Sequence, residues 1–175
     1  MKYFFLGVLT TLVVLVIVVC GYIRLGFAEV RGDIPPSRLE SSLMRAGVHA
    51  SIRREAPDIP NPFPPTDENL IAGGRFYRGD CAGCHGTPGK PFGNDGVGLF
   101  PPAPEFPVVG TALTEAQIFW VAAHGIRRAG MFANKPWAKD QQLWTVAAYI
   151  KRMNSLSPEV KAAINKPESK PAATN

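Results

Sequence analysis

Cysteine is scarce in this chain: three in 175 residues, too few for a disulfide scaffold, and the odd number leaves at least one without an intrachain disulfide partner. Histidine is equally rare, with three in all, and charged residues make up only 19% of the sequence. No internal repeat and no strand-like alternation of apolar and polar residues is present, so neither a solenoid nor an α/β sheet enzyme is expected. The glycines between Gly93 and Gly98 follow no strand, which removes the context a nucleotide-binding loop requires. The net charge of +5 has no nucleic-acid-binding motif attached to it, and no nucleic-acid partner is expected. At this length there is room for one ordinary domain plus extra segments.

Hydrophobic residues amount to 46%, but the apolar content is concentrated at one end. The segment Tyr3 to Ile23 carries no charge, and at about 1.5 Å per helical residue it spans roughly 30 Å, a hydrocarbon core. It reads as a transmembrane anchor over 1–24. The run is longer than the apolar part of a cleaved signal, and no small-x-small cleavage site follows it. Val18 and Val19 before Cys20 fit a lipoprotein site poorly, leaving Cys20 as a small apolar side chain in the helix. Lys2 at one end and Arg24 and Arg31 at the other give no decisive topological bias.

Residues 25–65 form a juxtamembrane stretch. Ser37 and Glu40 mark a helix start, and a helix to about Glu55 places Leu39, Leu43, Ala46, Gly47 and Ala50 on one face, with Arg38, Arg45, Arg53 and Arg54 around it. Such a helix lies on lipid or a partner, or is a short solvated spacer. Prolines at 57, 60, 62, 64 and 65 then make a stiff linker. Acidic Asp67 and Glu68 open a helix to about Gly79. A long Gly/Pro-rich loop runs from Gly83 to Pro107. Thr114 and Gln117 open another helix, to about Ala123, and Lys139 to Met153 is the last amphipathic helix expected. The Pro/Lys/Ala/Glu tail, 157–175, reads as flexible.

Within this frame Cys81-Ala82-Gly83-Cys84-His85 is a C-x-x-C-H sequence, the signature of covalent c-type haem attachment. Two thiols three positions apart reach two vinyl groups on one porphyrin edge, and the adjacent imidazole then coordinates iron. A thioredoxin-like pair lacks its α/β context, and a zinc site lacks two further nearby ligands. For the second axial ligand, Met1 is the start residue, Met44 precedes the linker and Met153 ends a helix; Met131 alone lies in a loop between helices of this unit. Gly125 and Gly130 allow that loop to approach a ring closely. His124 is the competing ligand, at a helix end where a cation also satisfies terminal carbonyls. Phe132 and Trp137 are the aromatics expected at the haem, and Arg127, Arg128, Lys135 and Lys139 bracket the Met131 loop.

From about Thr66 to Asn154 these residues resemble a class I c-type cytochrome, in its membrane-anchored bacterial monohaem form. The resemblance implies an all-α haem domain, taken here as 66–156, in which Gly73 and Tyr77 cross the C-terminal helix at Val146, Tyr149 and Ile150. It also places the methionine ligand just before the last helix, as Met131 is, and holds the proximal histidine by a proline carbonyl, with Pro101 or Pro102 as candidates. One haem c bound by Cys81, Cys84, His85 and Met131, with iron held by His85 and Met131, implies one-electron transfer rather than catalysis. The implied location is the bacterial cytoplasmic (inner) membrane, haem domain on the periplasmic face. The implied partners are a quinol-oxidising complex, a dehydrogenase or a terminal oxidase, the chain being either a free carrier or a complex subunit. A haem peroxidase or gas sensor with a displaceable distal ligand is the alternative.

Overall fold

A computed structural model describes residues 1–32, 34–90 and 98–166. Among these every regular element is a helix, and the one β feature is an isolated bridge between Thr87 and Lys90. Phe92 and most of the Gly93–Gly98 run lie outside the described residues. The chain divides into Met1–Gly32 and Asp33–Asn175.

The first unit is α1 (Lys2–Arg24), none of whose side chains is buried. Gly26, at φ 77°, ends it: its N–H donates to Ile23 O, and Phe27 N–H reaches back to Tyr22 O at 3.1 Å. That pair of bonds is a Schellman stop, and the rings of Phe27 and Tyr22 stack across it, 5.8 Å apart. Tyr3, Phe4 and Phe5 lie at the other end, so aromatics bracket the apolar run. Length and composition fit a membrane anchor.

The second unit begins with α2 (Arg38–Glu55), opened by Ser37, whose hydroxyl accepts from Glu40 N–H. Then follow α3 (Asp67–Asp80), the single turn α4 (Ala82–His85), the short α5 (Phe106–Val109), α6 (Glu115–His124), α7 (Asp140–Arg152) and α8 (Pro158–Asn165). Both short helices interrupt the stretch expected to be one irregular loop. Thr114 and Gln117 exchange the two bonds of a full capping box at the start of α6.

The core forms where α3 crosses α7. All residues from Leu143 to Ile150 are buried, because α7 is covered on one side by α3 and on another by α6. At the crossing a Cβ on Gly73 would overlap the Thr145 carbonyl oxygen and lie 2.5 Å from its carbon, so only glycine lets the backbones meet. Tyr77 fills the next turn against Tyr149, ring centres 5.3 Å apart. Phe119 of α6 stacks on Trp144 of α7 at 4.2 Å.

One expectation needs correction. The tail from 157 is not flexible throughout: Ser157 caps α8, Pro158 occupies its first turn, and Val160 and Ile164 are buried against the core. Ile164 lies over Gly74, and Arg78 donates to the Ile164 carbonyl at 2.6 Å, satisfying the helix end. Burial of two aliphatic side chains outweighs the polar composition that suggested disorder. The proline-rich linker is itself fastened to the helices. Asn61 Nδ2 donates to Glu115 Oε2 (2.6 Å) and to Trp144 O (3.0 Å), fastening it to α6 and α7, and Glu115 also accepts from Arg152.

Candidate haem-binding site

The C-x-x-C-H sequence sits where α3 gives way to α4. Cys81 is the residue between them, its N–H donating to Tyr77 O, and its own carbonyl accepts from both Cys84 N–H (3.1 Å) and His85 N–H (2.9 Å). One helical turn therefore holds both thiols and the imidazole together. Gly86, at φ 76°, turns the chain away after His85. The buried Tyr77 hydroxyl donates to Gly86 O at 2.9 Å, tying this turn to the helix crossing.

All cysteines are free thiols, and Cys81 and Cys84 are half-buried. Burial, then the neighbouring Asp80 and Cys84, push the Cys81 thiol up to about 12, so it is protonated at neutral pH. His85 is buried, and its Nδ1 lies 2.8 Å from Pro104 O. A carbonyl only accepts, so Nδ1 carries a proton, and in the neutral ring Nε2 then keeps its lone pair. Desolvation lowers the His85 pKa, with the Pro104 bond opposing it, which favours the neutral imidazole. Phe106 stacks on the ring at 4.6 Å and 17°. The proline that orients His85 is thus Pro104, not Pro101 or Pro102.

Met131 is carried by a different segment and is half-buried. Its loop closes through Ile126 N–H to Met131 O (2.9 Å) and packs onto Gly125, where a Cβ would come within 2.6–2.7 Å of Met131 O, Phe132 C and Ala133 N. Asn134, 2% exposed, donates both its N–H and Nδ2 to Ala122 O, and Lys135 N–H donates to Ala123 O. The end of α6 is therefore satisfied by the Met131 loop itself. Leu99 packs against Gly130. Met153 is buried in the core and Met44 is exposed on α2. His124 is exposed, its ring 5.2 Å from Trp120. Phe132 and Trp137 touch each other at 5.7 Å and are more than half exposed. Arg127, Arg128, Lys135 and Lys139 are exposed, with Lys135 paired to Asp140.

Two free thiols on one turn, an imidazole with Nε2 available and a thioether in an anchored loop are a donor set that suits a covalently attached haem. The described residues hold no cluster of three or more His, Cys, Asp or Glu that would suit a metal ion by itself. Residues 68–150 match the family described as cytochrome C oxidase, cbb3-type, subunit III. The matched residues, 68–150, form a class I c-type cytochrome domain. No curated protein and no solved structure matches it. The cytochrome domain implies covalent haem c and a haem-based electron carrier. Pro104 and Phe106 hold His85, Asn134 ties the Met131 loop to the end of α6, and Asn61 fastens the segment before α3; sequence reasoning assigned none of them these roles. Phe106 had only its aromatic character as a signal. The asparagines had none, because their partners are 12 or more residues away.

Proposed function

We propose that this cytochrome is a membrane-tethered one-electron carrier with a single haem, attached through Cys81 and Cys84 and ligated by His85 and Met131. The observation that carries the reading is His85: buried, stacked on Phe106 and fixed through Nδ1 to Pro104 O, which supports Nε2 as the ligating nitrogen. The bound haem supplies the one-electron change of iron. The chain's own residues hold the imidazole at a set angle, anchor the thioether loop to the end of α6 and keep the attachment turn on the α3–α7 core. Filling both axial positions leaves no open site for a substrate, which favours a carrier over a peroxidase or gas sensor. Methionine ligation raises the potential.

The family match, by its description, supports a place in an oxidase or another redox complex. A quinol-oxidising complex, a dehydrogenase or a terminal oxidase is the partner class, with the domain on the periplasmic face of a bacterial inner membrane and the chain in a respiratory-type pathway. The test uses protein matured with a haem-attachment system. Pyridine haemochrome should give one haem per chain, and the oxidised protein should show the near-infrared sulfur-to-iron band. Met131→His should abolish that band and lower the midpoint potential by a sizeable part of the about 0.8 V range that axial ligands command. An unchanged spectrum in that variant, or rapid carbon monoxide binding by the unaltered protein, would remove Met131 as ligand.

A further inference from the structure

The amphipathic pattern of α2 has two sides. Ile52 is 3% exposed and, with half-buried Ser41 and Val48, forms the side packed onto the helical domain, where α2 meets α6. Leu39, Leu43, Ala46 and Ala50 recur at spacings of four, three and four, so they form a second stripe, and all are exposed; Leu39 is 70% and Leu43 60% open. The face that the sequence marks as apolar therefore points away from the domain. Arg38, Arg45, Arg53 and Arg54 outnumber Glu40 and Glu55 on the same helix, and all are exposed.

We infer that this outward stripe of α2 lies in the headgroup region of the anionic leaflet beside the C-terminal end of α1. Three observations favour lipid over a protein partner. First, the stripe consists of two leucines and two alanines, far less than the roughly 800 Å² per side of a stable protein interface, yet enough to dip into an interfacial layer. Second, Arg53 and Arg54 flank the stripe on its two sides and are complementary to anionic headgroups, each basic residue near the surface adding to the attraction. Third, only Leu25 to Ser37 separate α1 from α2, so α2 starts within about 45 Å of the end of α1 even on a fully extended chain. Because Ile52 and Asn61 fasten α2 and the following segment to α6 and α7, lipid contact along α2 sets the tilt of the haem domain above the membrane. The inference rests on α1 being a retained anchor.

The experiment places nitroxide labels on the full-length, haem-loaded chain in nanodiscs, in a Cys20→Ser background. Labels at Leu39→Cys, Leu43→Cys and Ala50→Cys sample the stripe, Glu40→Cys the flank and Val13→Cys the anchor. In discs of phosphatidylglycerol with phosphatidylcholine, the stripe labels should lose collisions with aqueous nickel reagent and gain collisions with oxygen, while position 40 stays aqueous. Replacing Arg53 and Arg54 with Gln should return the stripe to water. Stripe labels that stay aqueous while position 13 reports lipid would overturn the inference and leave the anchor intact. An aqueous signal at 13 would overturn the anchor reading itself. Equal burial in phosphatidylcholine alone would overturn the anionic assignment, and burial seen only at high protein concentration would assign the stripe to a second copy instead.

Discussion

Gly73 has no room for even a methyl group, because the Thr145 carbonyl of the crossing helix occupies the place of its Cβ. Gly73→Ala must separate α3 from α7 and loosen a crossing that carries Tyr77 and the attachment turn. We expect a loss of about 3 kcal/mol, read from the denaturant midpoint of the haem-loaded protein. Gly74→Ala should cost less, since the nearest atoms there belong to the side chain of Ile164, which can shift. Tyr77 works through its hydroxyl. In Tyr77→Phe the buried Gly86 carbonyl loses its donor, for a cost of about 1–2 kcal/mol. This site also carries a pH signature. Burial raises the pKa of Tyr77 and Tyr149 above the ordinary 10.0, so the folded protein keeps protons that the unfolded chain releases. Their contribution is complete below pH 10 and is lost as the pH climbs above it. Unfolding free energy should therefore fall above pH 10, with a shallower slope in Tyr77→Phe; identical slopes would refute the assignment.

At the scale of elements, α8 and the segment around Asn61 act as clasps on the α3–α6–α7 core. A chain ending at Leu156 loses the burial of Val160 and Ile164 and the Arg78 bond to the end of α8. It should unfold about 3 kcal/mol more easily, and amide exchange should quicken on the Gly74 side of α3. If the truncated protein matches the full chain, α8 is not a structural part of the domain. Asn61→Ala frees Glu115 Oε2 and the Trp144 carbonyl together. Limited proteolysis should then cut between residues 56 and 65 faster than in the parent, with the haem spectrum unchanged.

For the whole molecule, the two units carry different physics. The unit Met1–Gly32 offers a helix uncharged from Tyr3 to Ile23, with aromatics at both ends and no buried side chain, an arrangement suited to lipid rather than to a protein core. The rest organises itself around a small helical core and one attachment turn. Alkaline carbonate washing of membranes should therefore leave the haem-loaded chain in the pellet. Recovery in the supernatant would show that the N-terminal helix had been removed.

The sequence by itself determined what depends on neighbours along the chain. The uncharged run of α1, the serine and threonine caps, and the C-x-x-C-H turn all operate within a few residues, so their outcome is written locally. The glycine at position 73 and the tyrosines at 77 and 149 were legible through family resemblance, because a helix crossing restricts both size and spacing. Only the tertiary structure decided which proline holds His85, which side of α2 meets the domain, whether the tail folds back and where Asn61 anchors. Each is a contest between partners 19 to 88 residues apart. Spacing along a chain makes a side chain available, and the packing of distant elements chooses among those available.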